Sequence, residues 1–259
     1  MRALIITLPL GVVALLLLLI FAAVSFGARE VVRRRCSDED REELADQAKN
    51  LLTGVAATFA FFVGFAITVT WGAVSAAQTA VEQQAAAVRQ MAREVDNITD
   101  RARSVELMDQ LRVYANAAAV DDADPLRRGT TTALPSATAL DRLEDSVIAY
   151  AYGAGANERE AAGLSAAAST LSNSAFTVSA VASRAIPGPL VVLLLFVGAL
   201  ASIIMGITTV AYRRPLLIFV WCLIPAISIT VVAGLAFPFA MRNGMTLAPM
   251  QAVAQLLGG

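Results

Sequence analysis

Residues 51–77 read LLTGVAATFAFFVGFAITVTWGAVSAA, an unbroken run with no charged side chain. Coiled as an α-helix, it is about 40 Å long at roughly 1.5 Å per residue, more than the roughly 30 Å hydrocarbon core of a bilayer. Three other stretches share the property: Ala3 to Ala28, Pro187 to Tyr212 and Pro215 to Met241. Each crosses a membrane with length to spare for tilt. The 259-residue chain is 57% hydrophobic with a mean hydropathy of +0.65, outside the range of soluble domains. Lipid is therefore part of the solvent, and the lipid bilayer is the first partner. The expected fold is all-α, with four transmembrane helices in two pairs and a helical insert between them.

The boundaries that follow are transmembrane helix 1 at 1–28, a loop at 29–50, helix 2 at 51–77, a long insert at 78–186, helix 3 at 187–212, a turn at 213–214, helix 4 at 215–241 and a tail at 242–259. The leucine-rich start ends in Arg29, Arg33, Arg34 and Arg35 rather than in small residues, so it reads as a retained anchor and not as a cleaved leader. The 29–50 loop holds six basic residues, and the second short turn holds Arg213 and Arg214. Both then face the cytoplasm by the positive-inside rule. The insert, both termini and the weakly flanking Arg2 and Arg242 are expected outside, in the periplasm of a bacterial inner membrane. Arginine far outnumbers Lys49, the sole lysine, and alanine is abundant, a composition of high-GC bacteria such as actinobacteria.

The insert has helical periodicity. Val74, Val81, Val88 and Val95 recur every seven residues, and Met91, Ile98 and Val105 fill the alternate seam positions of a coiled coil. Asp121 to Pro135, with Asp124-Pro125, Gly129 and Leu134-Pro135, is expected to break the helix. Leu140, Leu143 and Val147 then share a face. Gly153 and Gly155 form a loop, and Asn157 with Glu160 three positions on marks a helix start. From there Leu164, Leu171 and Val178 repeat every seven residues, with Ala168, Ala175 and Ala182 between them. The outgoing and returning helices are expected to pair as an antiparallel stalk. Val81, Val88, Met91, Val95, Ile98, Leu164, Leu171 and Val178 form its seam, which either closes on itself or is offered to a partner protein.

Chemistry is constrained by omission. Histidine is absent, and no nucleophile stands beside a base, so no catalytic residue, cofactor or metal site is expected and the chain is not read as an enzyme. Cys36 and Cys222 lack any zinc or redox spacing. The formal net charge of −1 provides no field for nucleic acid. The acidic run after Cys36 has no turn glycine for a calcium loop and reads as a helix start capped by Ser37 or Asp38, with Glu42 and Glu43 in the first turns. No Asp, Glu, Lys, Arg or His lies within the spans, which argues against a carrier or pump acting alone. Inside the membrane, Gly64 with Thr68, Gly198 with Ser202 and Ser202 with Gly206 have the four-residue spacing that lets helices approach closely. Pro225 is expected to kink helix 4, and Phe237-Pro238-Phe239 to end it.

The layout, with Phe59-Ala-Phe-Phe-Val-Gly-Phe, Trp71 and the run Gln78 to Arg93, resembles the bacterial bestrophin-like family of four-helix membrane proteins. Phe237-Pro-Phe falls where that family often has Arg-Pro-Phe, although neither Ala236 nor Phe237 carries the charge, and the filter motifs of bestrophin chloride channels are missing. The size and layout are also similar to a mycobacterial lipid-uptake coordinator that accompanies the Mce lipid transporter. From the charge-free spans, the lack of catalytic residues and the two heptad seams, the expected function is a non-enzymatic accessory or scaffold subunit of a larger membrane protein complex, and the second resemblance implies the permease or periplasmic subunits of an Mce-type lipid transporter as its host. The alternative is a homo-oligomeric anion channel of bestrophin type.

Overall fold

A computed structural model describes residues 8–153, 157–184, 187–210, 216–240 and 247–258. The turn at 213–214, Arg2, Arg242, Gly155 and the outer ends of several expected segments lie outside the described residues. Among these residues the chain is helical, without strands: α1 Leu10–Arg35, α2 Asp38–Asp96, α3 Arg101–Asn116, a π-helical turn Ala117–Asp121, α4 Ala123–Arg128, α5 Pro135–Ala151, α6 Glu158–Ser183, α7 Gly188–Thr208, α8 Leu216–Leu235 and α9 Ala248–Gly258. Four helical runs are long and apolar enough to cross a membrane: Leu10–Arg35, Asp38–Asp96, Glu158–Thr208 and Leu216–Leu235. The all-α reading with four spans therefore holds.

The chain divides into two compact units. Unit 1 comprises 1–72 and 185–236, and unit 2 comprises 73–184 and 237–259.

In unit 1 the helical hairpin at 29–50 is tighter than a loop, because only Cys36 and Ser37 interrupt helix. Three arginines in the last turn of α1 complement its dipole. Ser37 caps α2: its hydroxyl accepts from the Asp40 amide at 3.2 Å, and the Asp40 carboxylate accepts from the Ser37 hydroxyl at 2.6 Å. Arg41 joins the two helices by donating to the Arg33 carbonyl at 2.5 Å and pairing with Asp38. Above the hairpin, α1 packs on both α7 and α8, so the expected pairs are interleaved. Their core gathers Phe21, Phe59, Ala66, Leu194, Ile218, Cys222 and Ala226.

The small-residue face of α7 explains that packing. A side chain at Gly198 would meet the Phe21 ring at 3.2 Å, and one at Gly206 would overlap the Ser25 carbonyl oxygen at 2.2 Å. Ser25 donates to the Ser202 carbonyl at 2.5 Å, while Ser202 donates back along its own helix to Gly198 at 2.8 Å. Thr58, Thr68, Thr70 and Thr230 likewise donate to the carbonyl four residues back. No hydroxyl among these faces hydrocarbon with its proton unpaired. Pro225 lies inside α8, and that helix stops at Leu235, just before the Phe-Pro-Phe element.

Unit 2 is broader than a two-helix stalk. The seams of α2 and α6 share one core, and α3, α5 and the C-terminal α9 add to it through Leu107, Leu111, Tyr114, Leu143, Met250 and Val253. Within it α3 packs on α5, α5 on α6, and α9 on α3. Residues 248–258, expected as part of an outer tail, are thus a packed helix. The outgoing helix also stops sooner than its heptads suggest. It ends at Asp96, and Asp100 caps a new helix by accepting from the amides of Ala102 and Arg103. The phase changes at that joint, which leaves Val105 51% exposed and off the seam.

The expected break at 121–135 begins earlier and is milder. The Asp122 amide reaches back five residues to the Ala117 carbonyl at 3.0 Å, which closes a π turn. Pro125 is accommodated in the first turn of α4, where an amide proton has no intrahelical acceptor. Gly129, with φ of 74°, then ends α4 in the left-handed region. Asn157 caps α6 by accepting from the Arg159 amide at 3.0 Å, as its spacing from Glu160 suggested.

Candidate functional site

The membrane segments of α1 and α2 are the two spans least covered by the chain itself, and α2 carries the more polar exposed face. Between 51 and 72, the part of α2 in unit 1, only Phe59, Ala66 and Thr70 are buried, on one side of the helix. At 100° per residue the opposite side carries Ala57, Gly64 and Thr68, all exposed and all small or hydroxylated. Phe61 and Trp71 flank this stripe, 69% and 62% exposed. A side chain added at Gly54, Gly64 or Gly72 would meet nothing within 4 Å. The stripe holds no charge, so whatever it faces interacts with hydroxyls, backbone dipoles and ring edges.

The residues expected to pack helices therefore separate. Gly198, Ser202 and Gly206 are closed against Phe21 and Ser25 of α1, whereas Gly64 and Thr68 stay open on the outward stripe. The eight seam residues Val81, Val88, Met91, Val95, Ile98, Leu164, Leu171 and Val178 are all buried within unit 2, enclosed by this chain's own helices.

Unit 2 contains polar ties that the heptad pattern did not reveal. Gln84 of α2 donates to the hydroxyl of Tyr114 at 2.7 Å, and Tyr114 is the largest fully buried side chain among the described residues. Asp122 at the π turn is buried and accepts from the Ser136 amide at 3.1 Å and from the Ser136 hydroxyl. Glu160 accepts from the Thr99 hydroxyl at 2.6 Å and from the Tyr150 hydroxyl at 2.5 Å, which ties the α2–α3 joint to the start of α6. Those donors hold its carboxyl below the usual range, Thr99 contributing most. The same contact, aided by burial, pushes Tyr150 up to about 12. Arg112 donates to the Leu257 carbonyl at 2.5 Å and fastens α9 to α3.

Burial pushes the Asp122 carboxyl above the usual carboxylate range, with the Ser136 hydrogen bonds opposing the shift. A folded-state value above the unfolded one, near 4, means the native state binds its proton more tightly. Its contribution is full below about pH 4 and is lost as pH rises through the raised value. Asp122→Asn has no proton to lose and still offers Ser136 an acceptor. Melting temperatures in detergent should show the variant gaining on the parent as pH rises from about 4. A difference that stays constant across that range would contradict the assignment.

A family model described as the Bestrophin-like domain matches residues 19–243. The chain belongs to the bestrophin-like family. Among solved structures, it is similar to a bacterial bestrophin homolog from Klebsiella pneumoniae carrying one substitution, with a TM-score of 0.73 at 12% identity over 96% of this chain and 97% of that one. A second crystal structure of that homolog gives a TM-score of 0.66 at 14% identity over 95% and 99%. A third structure, of a membrane protein carrying a single glycine substitution, gives 0.69 at 14% over 94% and 96%. At these identities the likeness is one of fold. No curated protein matches the chain significantly.

This bestrophin-like membership corrects the expected accessory subunit of an Mce-type lipid transporter. The match runs along most of the chain, and the resemblance to the lipid-uptake coordinator finds no support. That resemblance rested on span count and composition, which lipid imposes on any four-helix membrane protein. The resemblance to the bestrophin-like family rested on the layout together with the run Phe59 to Phe65, Trp71 and the run Gln78 to Arg93, all of which lie within the matched residues 19–243.

Proposed function

We propose that this bestrophin-like protein is a homo-oligomeric membrane channel that passes anions, and not an enzyme. The observation that carries the reading is the uncovered, uncharged stripe of α2. One copy cannot enclose a pore with a single helix face, but several copies arranged around an axis can turn Ala57, Gly64 and Thr68 inward. Phe61 and Trp71 then narrow the passage. Aromatic edges carry partial positive charge and tolerate an anion passing beside them, while an apolar constriction closes by dewetting. A wall without carboxylates removes the groups that would draw cations. Recording the purified chain in a planar bilayer under a potassium chloride gradient tests selectivity. The current is expected to reverse near the chloride equilibrium potential; reversal near that of potassium would overturn the anion assignment.

The arginine-rich hairpin at 29–50 and the turn at 213–214 lie on the cytoplasmic side, by the charge asymmetry of the short segments. Unit 2 and both termini are then extracytoplasmic in the bacterial inner membrane. Cys36 sits between α1 and α2 and is partly exposed, whereas Cys222 is buried. An impermeant thiol reagent is expected to label Cys36 from the cytoplasmic face only. Labelling from outside would invert this arrangement.

A further inference from the structure

Unit 1 contains a cavity of about 370 Å³. Its walls are α2 from Ala56 to Ile67 and α8 from Trp221 to Ser228, with Ala201 of α7 also contributing. No lining residue is charged, and Ser228 supplies the only hydroxyl. The α2 wall extends about 16 Å at 1.5 Å per residue, so the space is a slot along the helix. Ile67 and Ile224, which border it, are also exposed on the outside of the chain. Where the spans cross a bilayer, the medium at that border is hydrocarbon.

One end of the slot differs from the rest. The indole nitrogen of Trp221 is buried and has no hydrogen-bond acceptor among the described residues. An unmet buried donor costs about 1–3 kcal/mol, and lipid tails offer it nothing. Trp221 is five steps into α8, about 8 Å from its first residue, close to the boundary where tryptophans meet the polar part of a bilayer. Water does not suit the site, since one donor and apolar walls cannot satisfy it.

We propose that the slot holds one acyl chain of a bilayer phospholipid. Its ester carbonyl lies at the Trp221 end and accepts the indole proton after a small turn of the ring, and its methylenes follow α2 toward Ile67. This requires only that the spans lie in a bilayer; Gly64 borders both the slot and the outward stripe, so the slot lies beside the proposed pore face, and lipid retention is read without anion flux.

The chain has two tryptophans, so Trp71→Phe leaves Trp221 as the sole emitter. Titrating that variant in detergent with a phosphatidylcholine brominated on its acyl chains is expected to quench emission saturably, at one lipid per chain. Ser228→Leu in the same background fills the slot and is expected to remove the saturable phase. Trp221→Phe keeps the shape of the wall but not the donor, and native mass spectrometry should show phospholipid retention reduced about tenfold. Quenching that grows without saturation and is unchanged by Ser228→Leu would overturn the proposal, as would full lipid retention by Trp221→Phe. A slot filled by a neighbouring copy would show no saturable quenching at all, which also overturns it.

Discussion

Gly206→Leu is expected to abolish recovery of folded protein from the membrane, and Gly206→Ala to lower its stability by about 3 kcal/mol, at the upper end of the range for overpacking. Even the first added carbon would lie 2.2 Å from the Ser25 carbonyl oxygen and 2.9 Å from its carbon. Both are helix backbone, so no side-chain rotation relieves the overlap. Separating α1 from α7 would break the Ser25–Ser202 hydrogen bond and lift Phe21 off Gly198. In a membrane that loss is not offset by hydrophobic association, because lipid solvates apolar surface as well as another helix does. Gly54→Ala is the matched control: its added carbon meets nothing within 4 Å, and alanine is the better helix former. Melting curves of the purified variants should show Gly206→Ala well below the parent and Gly54→Ala at or above it. Equal melting temperatures would refute the close α1–α7 contact.

The second large effect concerns the outward stripe. Thr68→Cys in a Cys36→Ser background is expected to conduct as the parent does, since the substitution is small and uncharged. Modification with a negatively charged thiol reagent should then reduce anion flux at least about tenfold. A fixed charge about 4 Å from a passing anion costs about 4 kcal/mol at an effective dielectric near 20. The equivalent cysteine at Ala66 is buried in the core of unit 1 and should remain unmodified. Flux that survives complete modification at position 68 would place the stripe against lipid instead of a pore. The two positions are only two residues apart, so the contrast tests the helix face and not merely the segment.

How far the sequence anticipated this structure depends on the kind of force involved. Membrane spans are legible because lipid acts on every residue in the run, and the charge-free stretches at 51–77 and 187–212 announced themselves. Heptads were legible where one partner held the phase, from Val81 to Ile98 and from Leu164 to Val178. They misled at Val105, where Asp100 caps a new helix and a local hydrogen bond outweighs continuation of the stripe. The spacing of Gly198, Ser202 and Gly206 signalled close packing but could not identify α1 as the partner, because four-residue spacing encodes proximity without direction. The same spacing at Gly64 and Thr68 marks a face left open by its own chain.

Other features had little signal of their own. The ties of Gln84 to Tyr114 and of Asp122 to Ser136 join residues 30 and 14 positions apart, and no local pattern predicts such pairs. The helix Ala248–Gly258 is short and apolar, and only its burial in the core of unit 2, against α3, distinguishes it from a loose tail. The functional error had a different origin. Span count and an alanine-rich insert are consequences of solvent and helix propensity, so they are shared by unrelated membrane proteins and could not separate a scaffold from a channel.

Chloride efflux from liposomes containing only this purified chain tests the central claim most directly. Addition of the protein in its native oligomeric state should release trapped chloride at a rate that scales with protein content and falls after modification of Thr68→Cys. Liposomes that retain their chloride, with the chain inserted and oligomeric, would contradict the account.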